Sequence, residues 1–238
     1  MADTLQGREI VLAGGSGGLG SAVSELLAAE GARLVVSYRA NRERAERLGT
    51  QIVQADLSIE ADRRRLLDAA PQIYGLVVFA GDPARVAAGA DPHDAMLRSH
   101  EVNYLGPILL AREAAERMKA AGTAGAIVLM ATMQAIALFP GSTAYAAQKA
   151  ALVHAARILA KECRGPANIR VNVVSPGVTA AGMAEASIAS GKYERYLKEG
   201  VIVRYGRAED VARAVRFFLE PDNYVTGQVL GVDGGMGL

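Results

Sequence analysis

The sequence has a single cysteine, Cys163, in 238 residues, and only 5% of its residues are aromatic. A lone thiol can neither close an internal disulfide nor join a second cysteine at a metal, which fits a reducing, cytoplasmic setting. Excess charge is missing as well: 26 basic against 25 acidic side chains leave a net charge of +1. That balance offers no electrostatic basis for binding nucleic acid. The one basic run, Arg63, Arg64 and Arg65, reads as the solvated face of a helix. Long apolar runs are also absent. Residues 1–8 are polar, and the most apolar stretch, 126–139, is interrupted by Thr132 and Gln134 and stops at Pro140. It falls short of the roughly 20 residues of a membrane-spanning helix, so neither export nor a membrane span is expected. His93, His100 and His154 lie apart without carboxylate or thiol companions, and no metal is expected.

What is present is periodic. Six short apolar runs, at 10–13, 34–36, 52–53, 76–80, 127–131 and 171–174, are nearly continuous in Val, Ile and Leu. Strands covered by helices on both faces have this composition. Between them lie helical patterns at 18–30, 42–48, 60–70, 94–121, 142–163 and 209–219. The alternation predicts an α/β fold: a Rossmann-type, doubly wound parallel sheet flanked by helices, a single domain over 1–238. Residues 180–206 break the alternation, with Gly182, Gly191, Gly200 and Gly206 around a short pattern at 188–197. This segment reads as a substrate flap; a plain surface elaboration is the alternative.

The first run leads into Gly14-Gly-Ser-Gly-Gly-Leu-Gly20 and then into an apolar helical pattern, Leu19, Val23, Leu26 and Leu27. Strand, glycine loop and helix follow in the order dinucleotide binding requires. Glycine permits the tight turn and lets the backbone approach a pyrophosphate, which then meets N–H groups at the positive end of a helix. Gly14, Ser16, Gly17, Gly18, Leu19 and Gly20 are the candidate contacts.

Tyr145 and Lys149 stand four residues apart in an Ala-rich helical pattern and share one face. A free phenol, with a pKa of about 10, is a poor acid–base catalyst at neutral pH. An ammonium about 4–5 Å away favours phenolate by roughly 3–4 kcal/mol, or about 2–3 pKa units, at an effective dielectric near 20. The spacing therefore predicts a phenol titrating close to working pH.

The glycine spacing, the Tyr145-x-x-x-Lys149 pair, Asn103, Asp56-Leu57, Ser175-Pro176-Gly177 and the tail motifs at 224–228 and 232–235 together resemble the short-chain dehydrogenase/reductase family, in particular its branch of β-ketoacyl carrier-protein reductases and sugar or steroid dehydrogenases. The resemblance covers essentially the whole chain. It implies that Tyr145 exchanges a proton with the substrate oxygen and that Lys149 also holds the nicotinamide ribose. Thr132, where the family usually has Ser, would orient that oxygen, and Asn103 would hold a water relaying protons toward the lysine. Further cofactor contacts implied are Asp56 and Leu57 toward the adenine, Ala80 and Gly81 through their backbone, and Pro176, Gly177 and Thr179 near the carboxamide. Homodimers or homotetramers are implied too, built on the fourth and fifth long helices and the tail.

The end of the second strand reads Ser37-Tyr38-Arg39-Ala40-Asn41, with no carboxylate before Glu43. NAD enzymes place an acidic residue there, whereas the Arg39 guanidinium matches a 2′-phosphate. NADPH is the expected cofactor, with Tyr38 and Arg39 flanking it. The expected activity is reduction of a ketone, or oxidation of a secondary alcohol, in a small hydrophobic or acyl substrate. Met133, Gln134, Ile136, Leu138 and Phe139, with 183–203, are expected to line a largely apolar pocket. Departures from the family pattern, Ala13, Val78-Phe79 and Ala181, also admit a dehydrogenase-like subunit that binds or assembles without turnover.

Overall fold

Strand β1, Glu9–Ala13, sets the pattern of the sheet. Ile10 and Leu12 pack into one apolar cluster and Val11 and Ala13 into another, because successive side chains of a strand leave on opposite faces. The computed structural model describes residues 4–87 and 89–238, so part of the N-terminal reading above, Met1 to Asp3, lies outside the described residues. After β1 come α1 (Gly18–Ala29), β2 (Arg33–Tyr38), α2 (Arg42–Glu46), β3 (Gln51–Gln54), α3 (Glu60–Asp68) and β4 (Ile73–Val78). The second half holds α4 (His93–His100), α5 (Gly106–Ala120), β5 (Gly125–Met130), α6 (Thr143–Glu162) and β6 (Ile169–Pro176). The flap carries α7 (Glu185–Ala189) and α8 (Glu194–Lys198), and α9 (Ala208–Leu219) and β7 (Val229–Val232) close the chain.

The seven strands form one sheet in the order β3-β2-β1-β4-β5-β6-β7, and every adjacent pair is parallel. This is the doubly wound α/β arrangement expected. Val23 and Leu27 of α1 and Val211, Val215 and Phe218 of α9 fill one face; Leu66 of α3, Leu110 of α5 and Leu152 of α6 fill the other. The chain moves outward from β1 to β2 and β3, then returns to place β4 on β1's other side. Loops leaving β1 and β4 therefore diverge and open a crevice at the carboxyl edge of the sheet. No helix among the described residues is long and apolar enough to cross a membrane.

Two elements differ from the sequence expectation. The helix expected over 94–121 is broken by a π-helical turn, Glu101–Leu105, in which the Gly106 N–H reaches back five residues to the Glu101 carbonyl. Pro107 has no N–H to offer the Asn103 carbonyl in α register, and Gly106 packs so closely that a Cβ there would stand 2.8 Å from the Leu57 carbonyl oxygen. The seventh strand was not anticipated, because Val229–Val232 is short, half-exposed and contains Gly231. It is held to β6 from below by buried Asn172, whose amide donates to the Val225 carbonyl (2.8 Å) and accepts from the Gln228 N–H (3.0 Å).

Leu12 is fully buried directly beneath the glycine loop, its Cβ 2.7 Å from where a Gly15 Cβ would stand. Leu12→Ala is expected to lower unfolding free energy by about 2–5 kcal/mol, read as a fall in the urea midpoint at unchanged slope.

Candidate active site

The loop between β1 and α1 is built on backbone. Gly14 has φ +77° and donates its N–H to the Ser37 hydroxyl at 2.9 Å, fastening the loop to the end of β2. Gly20 lies against the loop so tightly that a Cβ would stand 2.6 Å from the Gly15 Cα. Helix α1 starts without a side-chain cap. Among the described residues the N–H groups of Gly18, Leu19 and Gly20 have no hydrogen-bond partner, and all three residues line a cavity of about 1030 Å³ at the carboxyl edge of the sheet. Unpaired amides at a helix N-terminus suit a phosphate. The glycine cradle and these open donors fit the pyrophosphate of a dinucleotide.

The same cavity runs past Tyr38, Arg39, Asp56 and Leu57 at one end and Thr132, Tyr145 and Lys149 at the other, with Gly14, Ser16, Gly17, Ala80, Gly81, Pro176, Gly177 and Thr179 in its walls. Every sequence-predicted cofactor contact thus borders one space. Asp56 keeps one carboxylate oxygen on the N–H and hydroxyl of Ser58, at 3.0 and 2.7 Å. Thr179 is buried and donates its hydroxyl to the Gly177 carbonyl at 3.2 Å. The flap enters over the glycine loop, where a Cβ on Gly18 would stand 2.5 Å from the Gly182 nitrogen. Met133, Gln134 and Phe139 line the cavity. Ile136 and Leu138, expected beside them, instead point into solvent at 68% and 96% exposure. Glu185, Lys192 and Arg85 also stand in the wall, so the pocket is of mixed polarity and not largely apolar.

Helix α6 carries Tyr145 and Lys149 on its cavity face. The Lys149 ammonium is buried and donates to the Met130 carbonyl at 2.9 Å; burial pulls it down to about 8. Burial also pushes Tyr145 up to about 12, with a hydrogen bond from Thr132 opposing the shift and the Tyr193 phenol adding to it. This corrects the expectation of a phenol titrating near neutrality. Four-residue spacing fixes only proximity along the helix, whereas desolvation of both groups governs their ionisation.

Asn103 lies behind the cavity wall, wholly buried in the π turn. Its side chain brackets Asp82, donating to the Asp82 carbonyl (2.8 Å) and accepting from the Asp82 N–H (3.0 Å). Its remaining N–H goes to Ser99 (2.9 Å), which donates in turn to the carbonyl of Ala144, the residue before Tyr145, at 2.5 Å. A Cβ on Gly81 would stand 3.2 Å from Asn103 Oδ1 and 3.8 Å from Lys149 Nζ, so the amide and the ammonium adjoin one point. Asn103 and Ser99 thereby join the loop after β4 to the first turn of α6. Ser99 escaped the sequence reading, although its position one helical turn before Asn103 is a usable signal. Arg44, which lines the cavity beside Arg39, was also missed; Asn41 starts its helix by accepting the Arg44 N–H at 2.9 Å.

Ser99→Ala leaves a buried Asn103 N–H unpaired and is expected to cost about 1–3 kcal/mol of unfolding free energy by urea titration, with Ser99→Thr recovering part of it.

A family profile described as enoyl-(acyl carrier protein) reductase matches residues 13–237. The chain is 35% identical to an uncharacterized oxidoreductase of Methylorubrum extorquens, over 98% of each chain. It is 32% identical to the chloroplastic NADPH-dependent aldehyde reductase 2 of Arabidopsis thaliana, over 97% of this chain and 94% of the relative. A short-chain type dehydrogenase/reductase from Mycobacterium ulcerans superposes with a TM-score of 0.90 at 27% identity, covering 98% of this chain and 91% of the other. With its parallel seven-stranded sheet, glycine-loop cavity and near full-length relatives, the chain belongs to the short-chain dehydrogenase/reductase family of oxidoreductases.

Proposed function

We propose that the protein is an NADPH-dependent carbonyl reductase in which Tyr145 is the proton donor. The observation that carries this reading is the continuous cavity joining the open amides of α1 to the Thr132, Tyr145 and Lys149 side chains. NADPH, when bound, supplies the hydride. The chain supplies the rest. Thr132 and Tyr145 hold the substrate oxygen by hydrogen bonds, and Tyr145 gives it a proton as negative charge develops there. A phenol pushed up to about 12 stays protonated at working pH, and its proton still passes downhill to an alkoxide, the stronger base. Oxidation would need the phenolate as base, so the site favours reduction.

Lys149 places a buried positive charge on the same face of α6 and stabilises the phenolate left behind. Asn103 acts as a positioning residue, since its amide is committed to Asp82 and Ser99. Support for NADPH over NADH comes from the end of β2: Arg39 and Arg44 line the cavity, neither makes an ion pair among the described residues, and no carboxylate stands between Tyr38 and Asn41. Two guanidinium groups there suit a 2′-phosphate. The relative in Arabidopsis thaliana, named as NADPH-dependent, supports the same preference.

Tyr145→Phe is expected to reduce NADPH consumption with an activated ketone by about 10²–10⁴-fold while NADPH binding, followed by cofactor fluorescence, persists. Binding without turnover by the wild type across a broad carbonyl panel would contradict the reading. The rate of reduction should be level below the pH at which Lys149 loses its proton and fall as pH rises through about 8. Replacing Arg39 and Arg44 together by Ala should weaken NADPH about 10-fold or more in the same fluorescence titration and leave NADH nearly unchanged.

A further inference from the structure

The flap brings one polar group to the cavity that the proton-transfer chemistry leaves unused. Tyr193, at the start of α8, is 9% exposed, and its ring packs with Met133, Val178, Ile202 and Met236. It borders the same cavity as Tyr145, close enough to help hold the Tyr145 phenol above its usual range. Among the described residues its hydroxyl has no hydrogen-bond partner. Yet it is not one of the fully enclosed unpartnered atoms, which are Thr50 Oγ1, Glu113 Oε2 and Ser175 Oγ. The hydroxyl is therefore accessible, and the side chain that carries it lines the cavity. Lys192, in the same wall, holds its ammonium 5.5 Å from the centroid of the Tyr193 ring and adds positive potential on that side. A ring clamped by apolar packing presents a fixed donor, and a fixed donor beside a cation calls for an acceptor oxygen.

We propose that Tyr193 is a specificity-determining residue whose hydroxyl donates to a second oxygen of the substrate, on the flap side of the carbonyl that Tyr145 protonates. This rests on the reductase reading and narrows its substrates to carbonyl compounds carrying a further acceptor, such as an ether, ester, carboxyl or hydroxyl oxygen. The physical reason is the bond lost when water leaves. A purely apolar substituent strips water from the Tyr193 hydroxyl and returns nothing, whereas an oxygen there restores the hydrogen bond.

Tyr193→Phe keeps the packed ring and removes only the donor. The test compares shape-matched ketones, methoxyacetone against 2-pentanone and 4-methoxy-2-butanone against 2-hexanone, with the wild type and the variant. The wild type should prefer the oxygenated member of at least one pair by about 10-fold or more in kcat/KM. In the variant that preference should collapse through a rise in KM for the oxygenated ketone, while the all-carbon ketone is turned over as before. Equal losses on both members of a pair would show a merely structural role and overturn the proposal, as would an unchanged preference. Turnover of the plain ketones with no oxygen preference in either pair overturns this proposal alone; no turnover by the wild type of any of the four overturns this proposal, and no turnover of the broad carbonyl panel as well overturns the reductase reading with it.

Discussion

Everything in the site depends on one buried ammonium. Lys149 sits on the inner face of α6 with the Met130 carbonyl as its hydrogen-bonded partner, in surroundings that disfavour its charge. Such a cation is costly to hold and electrostatically strong for the same reason, because little water screens it. Its position is fixed at both ends of the local structure: by β5, whose last residue supplies the carbonyl, and by α6, whose first turn is tied to the rest of the molecule. Tyr145 is one helical turn upstream, so whatever holds that turn also sets the distance between the phenol and the charge.

The fold supplies the hold. Parallel strands all end on one edge, and reversal of direction between β1 and β4 opens the cleft there. The loop after β4 is then bracketed by Asn103, Asn103 is bonded to Ser99, and Ser99 reaches the carbonyl before Tyr145. The π turn makes this possible. Asn103 lies within this turn, buried, with its amide against the Asp82 backbone. Past β4, the Phe79 N–H donates to the Ala13 carbonyl at 2.8 Å and carries the pairing of β1 with β4 to the rim of the cleft.

Much of this was legible in the sequence, for physical reasons that can be named. Continuous Val, Ile and Leu runs announce strands covered on both faces, and the glycine spacing after the first of them announces a phosphate-binding turn. The residues expected to meet a cofactor, from Gly14 to Thr179, border one cavity because most of them lie at or just past strand ends, where the topology gathers loops. What escaped was set by packing. A single inserted residue leaves the apolar rhythm of 94–121 almost intact, so the π turn is silent. A four-residue half-exposed strand at Val229–Val232 lacks the apolar mass of its neighbours. The ionisation of Tyr145 was misread because helical spacing reveals who is near, and only the fold reveals how much water is displaced. Ile136 and Leu138 were placed in the pocket on composition, whereas the short 3₁₀ turn Met133–Ala135 after β5 directs them outward.

The central claim is that the site stores a proton on a phenol whose desolvation holds it neutral. Ultraviolet difference titration of the wild type against Tyr145→Phe measures this directly. The account predicts no phenolate signal assignable to Tyr145 at any pH below about 10, the ordinary tyrosine range. A phenolate appearing between about pH 7 and 8 and missing in the variant would contradict it.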